Sequence, residues 1–411
     1  MRPASSSSEP AYRAEASALI GLARLFGLLD SAAPLGYLAF GNALPVEIAA
    51  LTLKALALLV MARALRPQDV PWPFAATLFL LTTSGAVVGQ FTGVFSSFSL
   101  LQYTAFSGSL VMTMIVLARG HLFTYCRWAL PIPVGVAAFH VASSLTGTAP
   151  LANGRFDYVG GTHPNLGGEI AAVTALAASL ALRPRLALPL VALLFASCAL
   201  MQSRAAMVAI ALLAVILVAR GAARRLGWLL LPVLLVMAPF AIGVWAWLGT
   251  DPFALLAENL LRLDDPDRGI LSGFAGREAR WAIGFDDFRR DVLFGNGIGT
   301  FENGLESPHN AFLYGLAMHG IVSVAFWGFL AAALARVLAA RPDQVALMAA
   351  LGLLLVFNDR FFNLNPYPFE YYVMILCAPA ALAVARQRQR VPGREPAAAL
   401  VTTPAPAVVQ P

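Results

Sequence analysis

Charge is what this sequence has least of. Only 12% of its 411 residues are Asp, Glu, Lys or Arg, against about 25% in a soluble domain, and that excludes an ordinary soluble class. Cysteine is scarcer still. Cys126, Cys198 and Cys377 stand far apart, in or beside apolar segments, which argues against a disulfide framework and a zinc site. The polar start, MRPASSSSEPAYR, shows no signal-peptide cleavage pattern before the first apolar run, so no cleaved leader is expected. No repeat relates one half of the chain to the other. What is abundant is hydrocarbon. With 59% hydrophobic residues and a mean hydropathy of +0.73, the chain reads as an all-α polytopic membrane protein.

About 20 apolar residues cross a bilayer, and shorter runs tilt or rely on interfacial ends. Such runs fall near 16–41, 46–62, 73–92, 98–118, 129–147, 164–182, 186–202, 205–219, 227–249, 309–335, 343–357 and 367–385. Twelve spans are expected. With a cytoplasmic N-terminus, seventeen arginines fall on inner connections and nine on outer ones, as the positive-inside rule requires. The net charge of +6 therefore tracks topology and membrane lipid, not nucleic acid. The expected layout is a cytoplasmic tail over 1–15, nine spans within 16–249 and an outer loop over 250–308. Three more spans follow within 309–385, then a disordered cytoplasmic tail over 386–411.

The outer loop holds most of the chemistry. Pro252 to Leu263 has helical apolar spacing suited to the interface, and Arg277 to Val292 reads as a second helix. On it Arg277 and Arg280 share a face, with Trp281 beside them. Gly295 to Gly299 breaks that helix, and Pro308 suits the first turn of the next span.

Outward arginines run against the topology rule, and arginine forks onto phosphate. One reading is a diphosphate clamp of Arg204, Arg277 and Arg280, joined by Arg360. The other is that they meet lipid headgroups or acidic neighbours such as Glu278, Asp286 and Asp287. His309, where an aqueous loop enters the membrane, suits a general base or a structural hydrogen bond. His319 reads as packed deeper in the same span, and His121 and His140 have no evident partner. Within the spans Glu47, Lys54 and Glu169 look isolated. Glu169 is the functional candidate among them, one turn below Asn165 on one helical face.

Metal and cofactor motifs fail on context. Asp265-Pro266-Asp267 matches Asp-x-Asp, but its proline and the flanking Arg262 and Arg268 mark a solvated turn. Glu306 and His309 lack a third ligand. Gly295 to Gly299 follows a helix, whereas a dinucleotide fingerprint follows a strand. No metal and no cofactor is expected.

Gly276-Arg277 with Trp281, the run Phe294 to Phe301 and Ser307-Pro308-His309-Asn310 together resemble the C-terminal signature of the O-antigen ligase and polymerase superfamily. Gln202-Ser203-Arg204 and the region of Asn165 are similar to two further markers. The resemblance implies a metal-independent, inverting glycosyltransferase of the bacterial inner membrane, active on its periplasmic face. It implies a glycan on undecaprenyl diphosphate as donor, His309 as the base, and Arg204, Arg277 and Arg280 as donor-binding residues. Asn310, Trp281, Asp359, Arg360, Asn165 and Glu169 are supporting candidates. Lipid A–core is the leading acceptor, making a ligase; a second lipid-linked glycan or an exopolysaccharide chain would make a polymerase. A transporter or flippase is the rival from another class, and would bring ionisable groups along a central path, repeated halves and broken helices.

Overall fold

The computed structural model describes residues 8–36, 40, 44–62, 70, 72–147, 151–152, 155–159, 164–225, 273–298 and 307–338. Along them α1 is Ser8–Ala32, continued by a 3-10 turn at Ala33–Leu35, α2 is Leu44–Val60, α3 is Trp72–Thr92 and α4 is Ser97–Val116. A π turn, Leu117–His121, leads into α5 (Leu122–Trp128) and then α6 (Pro131–Thr146). After the outer loop come α7 (Pro164–Ala181), α8 (Pro184–Leu200) and α9 (Arg204–Arg225). The last described part is α10 (Gly273–Arg290), α11 (Ala311–His319) and α12 (Val322–Leu338). Proline opens α6 and α8, where its missing N–H has no helical partner to lose.

Each of the first eight expected spans has its helix. Ser17–Leu35, Trp72–Thr92 and Arg119–Thr146 are long and apolar enough to cross a membrane, and Ile48–Val60, Leu100–Val116, Pro184–Leu200 and Arg204–Val218 are shorter apolar helices. Leu59, Phe79, Phe91, Leu145 and Val215 point outward in the open. In water such a surface would aggregate; in hydrocarbon it is at home. The chain is a helical membrane protein. Expected spans 227–249, 343–357 and 367–385, the stretch 252–263 and Asp265 to Asp267 lie outside the described residues.

Helix α7 is the hub. Every side chain from Leu166 to Ser179 is buried, as for a helix surrounded by others, and α5, α6, α8 and α9 pack around it. Its run of glycine and alanine lets those backbones come close.

Four features depart from the sequence expectation. The connection after α4 is not a loop: residues 117–128 stay helical, kinked at Gly120 with φ of 94°. The connection near 148–163 carries a small antiparallel ladder, Leu151 opposite Phe156 and Ala152 opposite Arg155, in a fold that is otherwise helical. The tenth span, 309–335, is two helices, because α11 stops at His319 and Gly320 leaves the helical region with φ 57° and ψ −147°. A helix broken within a span is one of the features expected of a transporter. Here the break is filled by protein, as described below.

Lys54 is the fourth correction. It is not isolated: its ammonium pairs with Asp30 and donates to Ser109 Oγ. Tyr125 Oη donates to the other Asp30 oxygen at 2.7 Å, and the Phe26 ring lies 5.6 Å from Lys54 Nζ. All five side chains are buried. The pair ties α1 to α2, α4 and α5. Reading one helix at a time could not reveal it, because each partner stands on a different helix.

Candidate functional site

The glycines that break the chain after α10 are there for close approach. Gly295 and Gly297 have φ of 69° and 93°, a region open to glycine at little cost. A Cβ on Gly295 would lie 2.5–2.6 Å from the backbone of Met318, His319 and Gly320. A Cβ on Gly297 would collide with the Gly89 backbone. The turn is thus wedged between the end of α11 and the middle of α3, and it closes hydrogen bonds on both sides. Asn296 N donates to Ala317 O and Gly297 N to Met318 O, both at 2.9 Å, while Ile298 N donates to Gly85 O at 2.8 Å. A helix that ends within a membrane leaves carbonyls that water cannot reach. This turn supplies their donors.

At the other end of α11 stands Ser307-Pro308-His309-Asn310. Asn310 caps the helix, its Oδ1 accepting from Phe312 N at 3.0 Å and Leu313 N at 3.1 Å, which satisfies two otherwise orphaned donors. Its expected supporting role is therefore visibly structural. Ser307 Oγ accepts from His309 N at 3.3 Å. His309 is half-buried with φ of 47°. Apart from glycines, the described residues with positive φ are Gln202, at 53°, and His309. A left-handed residue with a side chain costs roughly 1–2 kcal/mol, and such residues cluster at functional sites. These two sit in the two turns the sequence singled out.

Helix α10 lies against this turn. A Cβ on Gly284 would stand 3.0 Å from Pro308 Cβ and 3.5 Å from Leu313 Cβ, so a side chain there would need Pro308 to give by a few tenths of an ångström. Arg280 is four residues before Gly284 and position 277 is seven, about 6 and 10 Å along the axis and within about 40° of it around the helix. Both arginine positions therefore share the face that meets Pro308, with Trp281 alongside. The side chain of Arg277 lies outside the described residues. Two further arginines of α10 meet acidic neighbours: Arg289 meets Asp286 at 3.5 Å, and Arg290 meets Asp287 at 3.1 Å. Asp287 is buried, and burial holds its carboxyl above the usual carboxylate range, against the opposing pull of Arg290.

The second turn is built on α7. Ser203 Oγ donates to Asn165 O at 3.5 Å and Cys198 Sγ to Gly168 O at 3.6 Å. A side chain on Gly167 would overlap Met201 and Tyr158, and one on Gly168 would overlap Ser203. The Asn165 region and Gln202-Ser203-Arg204, expected on one side of the membrane, are in direct contact. Glu169, one turn further along α7, is buried.

His140, which showed no partner in the sequence, has two. Its Nδ1 lies 2.8 Å from Ser197 Oγ and its Nε2 2.9 Å from Tyr158 O. A carbonyl only accepts, so Nε2 carries the hydrogen and Nδ1 accepts from the serine. Through this histidine α6 and α8 hold Tyr158 of the connection before α7 in place. His319 is packed as expected, fully buried with the Tyr103 ring edge-on at 6.0 Å.

The principal neighbours of α11 are α10, α12 and α3, and those of α9 are α8 and α7. The structure thus brings the Arg277–Arg280 face to the His309 turn, and Ser203, beside Arg204, to Asn165, as two separate contacts. Asp359 and Arg360 lie outside the described residues, and so does the side chain of Glu47. A family model described as O-antigen ligase matches residues 189–328, a segment that contains both left-handed turns. No curated protein matches the chain.

Proposed function

We infer an inner-membrane glycosyltransferase acting at the periplasmic face, a reading supported by the match of residues 189–328 to the O-antigen ligase family model. The glycan moves from undecaprenyl diphosphate to an acceptor hydroxyl, with lipid A–core as the acceptor and both termini in the cytoplasm. The observation that carries this reading is the contact of Gly284 with Pro308, which sets an arginine-bearing helix face against the turn that holds His309. Bond cleavage at a diphosphate releases negative charge, and attack requires a hydroxyl that loses its proton. Arg277 and Arg280, together with Arg204, stabilise the departing diphosphate. His309 takes the proton. The reaction inverts the anomeric centre, needs no metal in this arrangement, and belongs to a twelve-span frame.

The test is a chromosomal deletion complemented by the wild-type chain, with lipopolysaccharide and secreted polysaccharide resolved on gels. Loss of the polymer ladder with full-length glycan left on undecaprenyl diphosphate supports the ligase. Single repeats left on the lipid, or loss of a secreted polymer with the ladder intact, make it a polymerase. An unchanged surface, with every glycan in place, rejects both.

Arg277→Lys bears on the clamp. A point ammonium cannot fork across two oxygens, so turnover should stay roughly tenfold or more below wild type despite the preserved charge, the loss of about 1.4 kcal/mol or more expected of a charge-assisted hydrogen bond. Wild-type rates in Arg277→Lys would leave only an electrostatic role for that position.

A further inference from the structure

Asn296 touches three elements at once. Its Nδ2 donates to Asp287 O, near the end of α10, at 2.9 Å and to Ala317 O, near the end of α11, at 3.1 Å. Its main-chain N donates to Ala317 O as well, and its carbonyl accepts from Thr92 Oγ1 of α3 at 2.7 Å. The two helices meet again one turn and more away, at Gly284 with Pro308 and Leu313. Between those two fastenings the spacing of the helices has no slack: glycine at one end, a forked amide at the other.

We propose that Asn296 is a positioning residue for glycan transfer, setting the distance between the arginine face of α10 and His309 at the start of α11. This rests on the transferase reading above. The amide's two hydrogens close on two carbonyls that terminate different helices, so losing them frees α10 to shift along or away from α11. A misplacement of about 1 Å between reacting groups costs on the order of a hundredfold in rate. Because the groups themselves remain, the loss falls on kcat and leaves donor binding nearly as it was.

Asn296→Asp is the informative substitution. It keeps the size and the main-chain bonds, removes both side-chain donors, and turns a carboxylate toward two carbonyls. Transfer would be followed with purified donor lipid and acceptor, beside His309→Ala and beside Gly328→Ala, where an added Cβ meets nothing within 4 Å. Spacing is read separately by disulfide formation between Gly284→Cys and Leu313→Cys, in a full-length chain with Cys126, Cys198 and Cys377 changed to alanine. A Cβ at 284 lies 3.5 Å from that of Leu313, within the range a disulfide spans.

The expected result is a kcat lower by about a hundredfold, a donor KM changed less than about threefold, and a cross-linking yield that falls in the Asn296→Asp background. Wild-type rate with His309→Ala inactive overturns the positioning role and spares the transferase reading. A slow enzyme that still cross-links fully also overturns it, since the helices would then not have moved. Full activity in His309→Ala removes the base assignment and leaves the transferase reading standing; absence of transfer by the wild-type chain overturns that reading instead, and the cross-link alone then decides whether Asn296 sets the spacing. Should Asn296→Asp fail to accumulate, Asn296→Ala removes the same donors without adding charge and gives the same readings.

Discussion

His309→Ala should lower glycan transfer by about a hundredfold to ten-thousandfold, the span usually attributed to a lost general base, while donor lipid still binds. The side chain removed is the proton acceptor, and the arginine positions on α10 are untouched. His309→Gly adds a sharper test. Histidine holds φ of 47° at this turn, which costs a residue with a side chain roughly 1–2 kcal/mol, and glycine relieves that strain. His309→Gly should therefore be at least as heat-stable as His309→Ala in detergent and equally inactive. Stability and activity would move in opposite directions, as expected where strain is retained for function. Full transfer by either variant would end the base assignment.

The largest stability effect is expected at Asp30 and Lys54. Both side chains are fully buried, with Tyr125 and Ser109 completing the hydrogen bonds. Removing one partner leaves the other as an uncompensated charge in a low dielectric, a loss of about 3–5 kcal/mol, whereas an apolar pair of similar volume is often neutral. Asp30→Leu and Lys54→Met should each cut the amount of folded protein in the membrane and lower its midpoint of thermal unfolding. The double variant should recover most of both. If the double variant folds well yet no longer transfers glycan, the pair has a role in function beyond holding four helices together. If either single change is harmless, the network is not closed as its geometry indicates.

Much of this molecule was legible along the chain because the relevant signals are local. A stretch of about 20 apolar residues is a helix in a membrane whatever surrounds it, so the first eight spans could be read one by one. The break at Gly320 could not. Residues 309–335 read as one largely apolar run, whereas the break is held by a turn from elsewhere that supplies donors to Ala317 and Met318. The same turn shows why a glycine run was recognisable and its purpose was not: the need for glycine arises from Gly85 and Gly89, some 200 residues away in sequence. Lys54 and His140 looked solitary for the same reason, since the partners of each stand on other helices.

The sequence by itself determined that the protein is helical, lies in a membrane, and concentrates arginine and His309 in one late stretch. Composition, apolar period and motif spacing are properties of neighbours along the chain, and they survive without knowledge of the fold. Only the tertiary structure decided which helix face meets His309 and which residues fasten that meeting. Those are contacts between distant segments. They depend on how closely backbones can approach, and at Gly284, Gly295 and Gly297 a single missing Cβ sets that distance.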